Sequence, residues 1–477
     1  MKNLSELISG LEVLKQTNDT STKIASIHFD SRFVKKNSVF VAVRGNVSDG
    51  HNFIESAVKS GAIAIIYDKE SIEKISGIVY VQVKESHIAL ALLAQNFYGH
   101  PSKKLKLIGV TGTNGKTTTA TMLFNLFEAL GHPSALLSTI ENRIGKKTYP
   151  ATTTTPDQIV LTSFLNEAVK AGCQYAFMEC TSHALDQKRV GGLEFAGALF
   201  TNLTHDHLNY HKTMENYAKA KKELFDNLSE KAFAVANEDD LWSEYILSET
   251  RARKYLFSLK DKNLKQSADG LSMSFDGKVI KSKLIGTFNA HNVLGVYTVA
   301  KLLGAPEDKA ISLLASLESP AGRMEFIKSE KGVSGIIDFA HTPDALENVL
   351  KTLREIVPTA RIITVVGCNG EGDVTKRPIM GEIACELSDY VVFSSDNPKN
   401  EDPEKIMKDI TQNLPPQTGR YECEIDRVKA IKIAYEHAKP GDIILLAGKG
   451  HEDYQFLKDG RIPFSEKKIL EKLFDKD

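Results

Sequence analysis

The segment Thr111-Gly112-Thr113-Asn114-Gly115-Lys116-Thr117-Thr118 combines the residue types that hold a polyphosphate. A lysine ammonium can reach β- and γ-phosphates, an adjacent hydroxyl can ligate Mg²⁺, and a glycine-rich turn opens backbone N–H groups toward anions. The spacing departs from the general phosphate-loop pattern. Val110 stands where that pattern has its first glycine, and Gly112 lies only three residues before Gly115. A bare Gly-Lys-Thr also occurs in ordinary strand–helix turns, so the flanking segments must decide.

Other chemistry-bearing residues lie further along. Glu179 closes a short apolar run, where its carboxylate could hold the same metal or face solvent. In Thr204-His205-Asp206-His207-Leu208-Asn209-Tyr210-His211, four of eight residues are His or Asp, a density that suits a metal or phosphate neighbourhood. Oxygen-rich surroundings favour Mg²⁺ over zinc. Tyr217–Leu224 reads as a charged helix face carrying Lys219, Lys221 and Lys222. Asn289 and Asn292 offer amides that can read adenine through paired donor and acceptor, or cap a helix.

These residues need elements to position them. Leu105–Val110 predicts a strand that runs into the glycine-rich turn, and residues 117–130 repeat apolar groups at helical spacing up to Gly131. Strand, loop and helix in this order can cradle phosphate. Strands are expected at Tyr175–Glu179 and Gly197–Thr201, and β-hairpins with Asp269-Gly270 and Asp276-Gly277 turns between Leu256 and Leu284. Upstream, Ser38–Val43 and Gly61–Tyr67 read as strands with an amphipathic helix from about Asn52; a polar break follows at Gly99–Ser102. Downstream, from Gly322, strands Gly335–Phe339, Arg361–Gly367, Tyr390–Ser394 and Asp442–Ala447 alternate with helical segments, as in a Rossmann-like sheet. The expected fold is α/β: three consecutive α/β domains over residues 1–100, 101–321 and 322–477, the central one P-loop-like and the last Rossmann-like.

At 477 residues the chain exceeds one ordinary core. Charged residues at 25% and hydrophobic ones at 42% match a globular protein, and a net charge of -1 gives no global basic field to attract nucleic acid or anionic membrane. The five cysteines have no CxxC or zinc spacing and read as reduced, mostly buried thiols. The N-terminus resembles no secretory signal, and no apolar stretch reaches the ~18 residues of a membrane span. A cytoplasmic monomer acting on small molecules is expected.

Thr111–Thr119 resembles the phosphate loop of the Mur ligases, bacterial enzymes that build the peptidoglycan stem peptide. Further segments are similar to the same family, in order, over nearly the whole chain. Asp30-Ser31-Arg32, Phe40-Val41-Ala42 and Asp49-Gly50-His51 resemble its uridine-nucleotide-binding domain. Glu179–Leu185 and Thr201–Leu208 resemble central-domain motifs; Asp338–Leu346, Asp396-Asn397-Pro398 and Gly448-Lys449-Gly450-His451-Glu452 resemble C-terminal ones.

The resemblance implies an ATP-dependent ligase adding a diamino acid to UDP-N-acetylmuramoyl-L-alanyl-D-glutamate through an acyl phosphate. By it, Gly112, Thr113, Asn114, Gly115, Lys116, Thr117, Thr118, Asn289, Asn292, Arg323, Asp338 and His341 bind ATP. Thr117, Glu179, His207 and Lys221 are Mg²⁺ ligands of a two-metal site, Thr117 and Glu179 on one ion and His207 on a second, with Lys221 carbamylated (N6-carboxylysine) and catalysis resting on Lys116, Glu179, His207 and Lys221. Phe29, Ser31, Asn46, Val47, Ser48, Thr153, Thr154, Thr155, Thr181, Gln187 and Arg189 contact the uridine-nucleotide substrate. Asp396, Asn397, Pro398, Lys399, Gly448 and Glu452 bind the amino acid. Thr181 replaces the usual Ser and Asn209 the usual Asp.

The amine is less legible. Diaminopimelate enzymes of this type read Asp-Asn-Pro-Arg, and many lysine enzymes Asp-Asn-Pro-Ala, whereas this chain has Lys399. Lysine keeps the charge without the guanidinium fork. Gly372 stands where a second arginine is common, with Lys376 or Arg377 as possible substitutes. Meso-diaminopimelate is favoured, with L-lysine or ornithine as alternatives. A folylpolyglutamate-synthetase-like ligase would share the last two domains only. A non-catalytic nucleotide-binding protein would be expected to have lost Lys116, Glu179, His207 or Lys221, and a kinase or motor ATPase has no need of the Gly-Lys-Gly-His-Glu segment.

Overall fold

Runs that are apolar at nearly every position form the central strands. Ala62–Tyr67 and Ile443–Ala447 are almost wholly buried, the pattern of parallel strands covered on both faces. A computed structural model describes residues 1–17, 20–45, 48–415 and 419–475. In it three large sheets follow one another along the chain.

The first sheet has the order Val13–Gln16, Val79–Val83, Ala62–Tyr67, Ser38–Val41, Ser26–His28, parallel except at the Val13–Gln16 edge. The helix expected from Asn52 starts as a 3₁₀ turn, Gly50–Phe53, and becomes α-helical only at Ile54–Lys59. Asp49 caps that turn by accepting from the His51 N–H.

The second sheet has eight strands. Its order is Lys147–Pro150, Glu141–Ile144, Ser134–Leu137, Tyr175–Glu179, Lys106–Thr111, Gly197–Phe200, Phe233–Asn237, Arg253–Phe257, and it is parallel from Ser134–Leu137 onward. Lys106–Thr111 is flanked by Tyr175–Glu179 and Gly197–Phe200, so Glu179 and Thr201 emerge beside the glycine-rich loop. The helix after that loop, Lys116–Ala129, ends in a Schellman turn. His132 N donates to Phe127 O and Gly131 N to Glu128 O, with Gly131 at φ +89°. The expected hairpins form a three-stranded antiparallel sheet, Lys265–Ser267, Gly270–Phe275 and Lys278–Ser282. Its Leu271, Met273 and Ile280 join the core around helix Thr287–Leu302.

The third sheet runs Glu325–Lys328, Ser334–Asp338, Ile443–Ala447, Ile362–Val366, Tyr390–Ser394, Tyr421–Glu424, with only the Glu325–Lys328 edge antiparallel. Both edge strands were unanticipated; each is short and has no fully buried residue, and neither has an apolar run to mark it. Among the described residues no helix is long and apolar enough to cross a membrane.

Candidate active site

Two glycines shape the phosphate loop. Gly112 (φ +153°) and Gly115 (φ +83°) adopt backbone that L-residues avoid. A Cβ on Gly112 would lie 1.9 Å from Thr201 Oγ1, and one on Gly115 would lie 2.4 Å from Asn292 Oδ1. Lys116 opens the helix and curls back, donating to Gly112 O at 3.0 Å and Thr113 O at 2.8 Å. Burial pulls its pKa down, against the opposing pull of Glu179 and Asp206. Asn114 Nδ2 donates to Asp344 Oδ2 at 2.8 Å, joining the loop to the third-sheet unit.

Beside Lys116, Thr117 Oγ1 donates to Glu179 Oε2 at 3.0 Å, and Arg323 Nη2 reaches Thr117 Oγ1 at 3.2 Å. Glu179 also accepts from Thr139 N at 2.7 Å and from the Thr139 hydroxyl at 3.1 Å. Sequence reasoning missed Thr139. It lies just beyond a short strand, with no motif to flag it.

His207 sits at φ +57° with Nε2 3.3 Å from Asp206 Oδ2 and its ring 4.8 Å from that of His183. Burial drives its pKa down to about 3 despite Asp206, which leaves a neutral imidazole able to donate a lone pair. Burial alone would raise the Asp206 carboxyl, but Lys376, His207 and His341 outweigh it and hold the pKa well below the usual range.

The three lysines on helix Met214–Asp226 separate cleanly. Lys219 is exposed. Lys222 pairs with Asp226 at 2.7 Å and Glu249 at 3.1 Å. Lys221 is fully buried, its Nζ donating to Gly112 O at 2.7 Å and lying 4.5 Å from the Tyr217 ring centroid. Burial, reinforced by Lys116, lowers its pKa far below the ordinary lysine value. An amine whose charged form is disfavoured by burial therefore lies directly behind the glycine-rich loop.

Three cavities meet these residues. One of about 420 Å³ is lined by Thr113–Thr118, Thr139, Thr153, Thr154, Thr155, Glu179, Thr181, Arg189, His207, Arg323 and His341, among others. A second, about 270 Å³, adjoins Asn114, Gly115, Thr118, Asn289, Asn292, Arg323 and Asp338. Asn289 and Asn292 do not cap helix Thr287–Leu302, whose N-cap is Gly286; they lie inside its first two turns. Asn289 Nδ2 donates to Ile285 O, and Asn292 Nδ2 to Asn289 Oδ1. Arg323 stacks on Phe339 at 4.4 Å. Asp338 accepts from Met324 N at 2.7 Å, and burial lifts its pKa to about 6 against the pull of Arg323. His341 faces the 420 Å³ cavity rather than the smaller one.

The third cavity, about 690 Å³, lies between the first and second sheets. Phe29, Ser31, Ser48, Thr153, Gln187 and Arg189 line it; Asn46 and Val47 fall outside the described residues. Thr153 and Arg189 belong to the walls of both this cavity and the 420 Å³ one. Thr155 and Thr181 serve the backbone as well. The Thr155 hydroxyl donates to Glu179 O and accepts from Thr181 N, and Thr181 caps helix Ser182–Asp186. Arg189 is held by Gln187 Oε1 and Thr155 O.

Asp396, Asn397, Pro398, Lys399, Gly448 and Glu452 gather at the ends of two third-sheet strands and line none of these three cavities. Asn397 Nδ2 donates to Glu452 Oε2 at 2.8 Å, and Lys399 Nζ lies 3.9 Å from Glu371 Oε2. Neither residue considered as a substitute for the missing arginine is free for that task. Arg377 is fully buried between Glu401 and Asp409, and Lys376 pairs with Asp206 at 3.4 Å across the unit boundary. Asp206 and Lys376 are thus a further contact that the sequence did not reveal as a pair.

Three family profiles match the chain in sequence order: "Mur ligase family, catalytic domain" over residues 23–98, "Mur ligase middle domain" over 110–300, and "Mur ligase, glutamate ligase domain" over 322–450. A protein of Cytophaga hutchinsonii named UDP-N-acetylmuramoyl-L-alanyl-D-glutamate–2,6-diaminopimelate ligase is 46% identical over 480 residues, covering 99% of each chain. A solved structure of a protein with the same name superposes with a TM-score of 0.70 at 30% identity, covering 100% of this chain and 99% of that one. A folylpolyglutamate synthase of Mycobacterium tuberculosis shares the fold over 76% of this chain and 92% of its own, with a TM-score of 0.63 and 20% identity.

Proposed function

This chain belongs to the Mur ligase family, and on that premise we propose that it joins a diamino acid, meso-diaminopimelate first among candidates, to UDP-N-acetylmuramoyl-L-alanyl-D-glutamate at the expense of ATP. The single observation that carries the site reading is the shared wall. Thr153 and Arg189 border both the 690 Å³ cavity and the cavity of Lys116 and Glu179, so a long nucleotide substrate seated in the first can extend its carboxylate into the second.

In this reading residues 1–100, 101–321 and 322–477 are three domains that bind the uridine nucleotide, ATP and the amino acid. Phe29, Ser31, Ser48 and Gln187 hold the nucleotide end, and Arg189 with Thr153 steers the carboxylate. Gly112–Thr118 cradle the ATP phosphates, Asn289 and Asn292 adjoin the base, and Arg323, Asp338 and His341 close over the nucleotide. The substrate carboxylate attacks the γ-phosphorus, ADP leaves, and the amine then displaces phosphate from the acyl phosphate. Positioning and charge neutralisation do most of this work, and closure of the third unit keeps water from the acyl phosphate.

Oxygen donors at Thr117 and Glu179, with the neutral His207 imidazole, fit Mg²⁺ bound together with nucleotide phosphates. Bound Mg²⁺ would neutralise developing phosphoryl charge. Among the described residues no three His, Cys, Asp or Glu side chains converge on one ion, so a further anionic ligand is wanted there. Lys221 suits that need once carbamylated: burial disfavours its ammonium form, and addition of CO₂ with loss of a proton would make it a carbamate anion. A cytoplasmic monomer is part of the same proposal.

A folylpolyglutamate-synthetase-like reading leaves the first sheet and its cavity without a task. The test is phosphate release by the purified protein with ATP, the dipeptide nucleotide and diaminopimelate, lysine or ornithine in turn. Absence of acceleration by diaminopimelate would overturn the preferred amine.

A further inference from the structure

Lys449 lies in the Gly-Lys-Gly-His-Glu segment, yet no role above uses it. Its side chain is fully buried. Its ammonium donates to Glu452 Oε2 at 2.8 Å, Asn397 Oδ1 at 3.0 Å and Asp396 Oδ1 at 3.5 Å. An ammonium has three donors and no acceptor, so these contacts exhaust it and none is left for substrate.

The three acceptors come from two loops. One leaves strand Tyr390–Ser394 and the other strand Ile443–Ala447, and Ile362–Val366 runs between them. No strand pairing sets those loops against each other; one backbone bond, Lys399 N to Phe456 O at 3.0 Å, joins the chain beyond them, and side chains do the rest. Arg427 spans the same gap one layer deeper, donating to Ala447 O at 2.8 Å and Ser395 O at 3.5 Å while paired with buried Glu466 at 2.8 Å. Asn397 Nδ2 donating to Glu452 closes the ring around Lys449.

The ring leaves one feature open. Asp396 Oδ2 is buried without a hydrogen-bond partner in the protein. It lies beside Gly448, where a Cβ would come within 3.0 Å of it. Within the ring one ammonium faces two carboxylates, so a negative charge remains. A buried carboxylate oxygen with no donor is costly to keep and calls for a charged donor.

We propose that Lys449 is a positioning residue for the amino-acid substrate: it fixes Asp396, Asn397 and Glu452 as one anionic cluster that receives a substrate ammonium, and takes no part in phosphoryl transfer. The inference rests on the ligase reading above. None of the four residues lines the phosphate cavity, so acyl-phosphate formation proceeds without them.

The experiment uses full-length Lys449→Met and Lys449→Arg in two assays. The first is phosphate release against amino-acid concentration, with whichever diamino acid the wild type accepts. The second is positional isotope exchange between the β,γ-bridging and non-bridging oxygens of ATP, with dipeptide nucleotide and no amino acid. Lys449→Met is expected to raise the amino-acid KM roughly 10- to 100-fold, the loss of charge-assisted bonds, while the exchange rate and the KM for ATP stay within about twofold. Lys449→Arg, which keeps the charge with altered geometry, falls between. An unchanged amino-acid KM, or exchange lost in step with ligation, overturns the proposal. If Lys449→Met does not fold, Lys449→Arg decides by the same two readouts. A wild type that rejects diaminopimelate but accepts another diamino acid refutes the preferred amine and leaves the Lys449 comparison intact.

Discussion

Thr117 Oγ1 and Glu179 Oε2 meet at 3.0 Å, linking the first turn of the phosphate-loop helix to the end of the adjacent strand. Thr139 and Arg323 converge on the same pair, so one hydroxyl and one carboxylate sit at the junction of four chain segments. This is where an oxygen-seeking cation and a phosphate would be shared.

Glu179→Gln keeps the size and the Thr117 contact but removes the charge. Phosphate release is expected to fall roughly 100-fold or more, the scale for losing a preorganised charge at a reacting phosphoryl group. Steady-state assays across a Mg²⁺ titration check this; activity near wild type at ordinary Mg²⁺ would remove Glu179 from the metal site.

Lys221→Ala should abolish turnover, and small carboxylates such as acetate or formate should restore part of it by supplying the missing anionic ligand. Lys219→Ala, a change at an exposed position on the same helix, should leave the rate within about twofold, as for most surface substitutions. Full activity in Lys221→Ala would exclude the carbamate.

Gly112→Ala and Gly115→Ala place a methyl group against Thr201 and Asn292 in backbone that favours glycine. Each should cost about 1–3 kcal/mol of stability or distort the loop enough to raise the KM for ATP. Thermal melts beside ATP titrations test it; wild-type values in both would mean the loop relaxes without consequence.

Acid should destabilise the protein before its ordinary, unshifted carboxylates titrate. Burial holds His207 at about 3 and His211, His341 and His451 at about 4, so the folded state keeps them neutral while the unfolded chain protonates them near 6.5. Their stabilising contribution is complete above that value and is lost as pH falls toward 4. Asp338, raised to about 6 by burial, works in the opposite direction, as do Asp240, Asp344 and Glu466, whose carboxyls burial also raises; these offset part of the histidine contribution. The melting midpoint should drop by roughly 5 °C or more from pH 7 to pH 5, and less in His451→Gln. A midpoint flat across that range would contradict the lowered histidine pKa values.

Much of the architecture was legible because it is written locally. The buried strands and the Schellman end of helix Lys116–Ala129 follow from apolar runs and one glycine. The short edge strands were not, because pairing with a neighbour rather than composition makes Tyr421–Glu424 a strand. The resemblance pointed to Lys221, but which of Lys219, Lys221 and Lys222 is buried needed the structure, since the three are chemically alike and differ only in what the fold packs around them.

By itself the sequence determined the strand, glycine-rich turn and helix of Lys106–Ala129 and the order of the α/β units, since each depends on neighbours within a few positions. Only the tertiary structure decided that Lys376 is committed to Asp206, that Arg377 is spent on Glu401 and Asp409, and that Lys449 binds two loops together. The Lys376–Asp206 contact joins residues 170 positions apart. No periodicity reaches that far: a charge's partner is chosen by chain packing, and with it whether the charge is left for substrate.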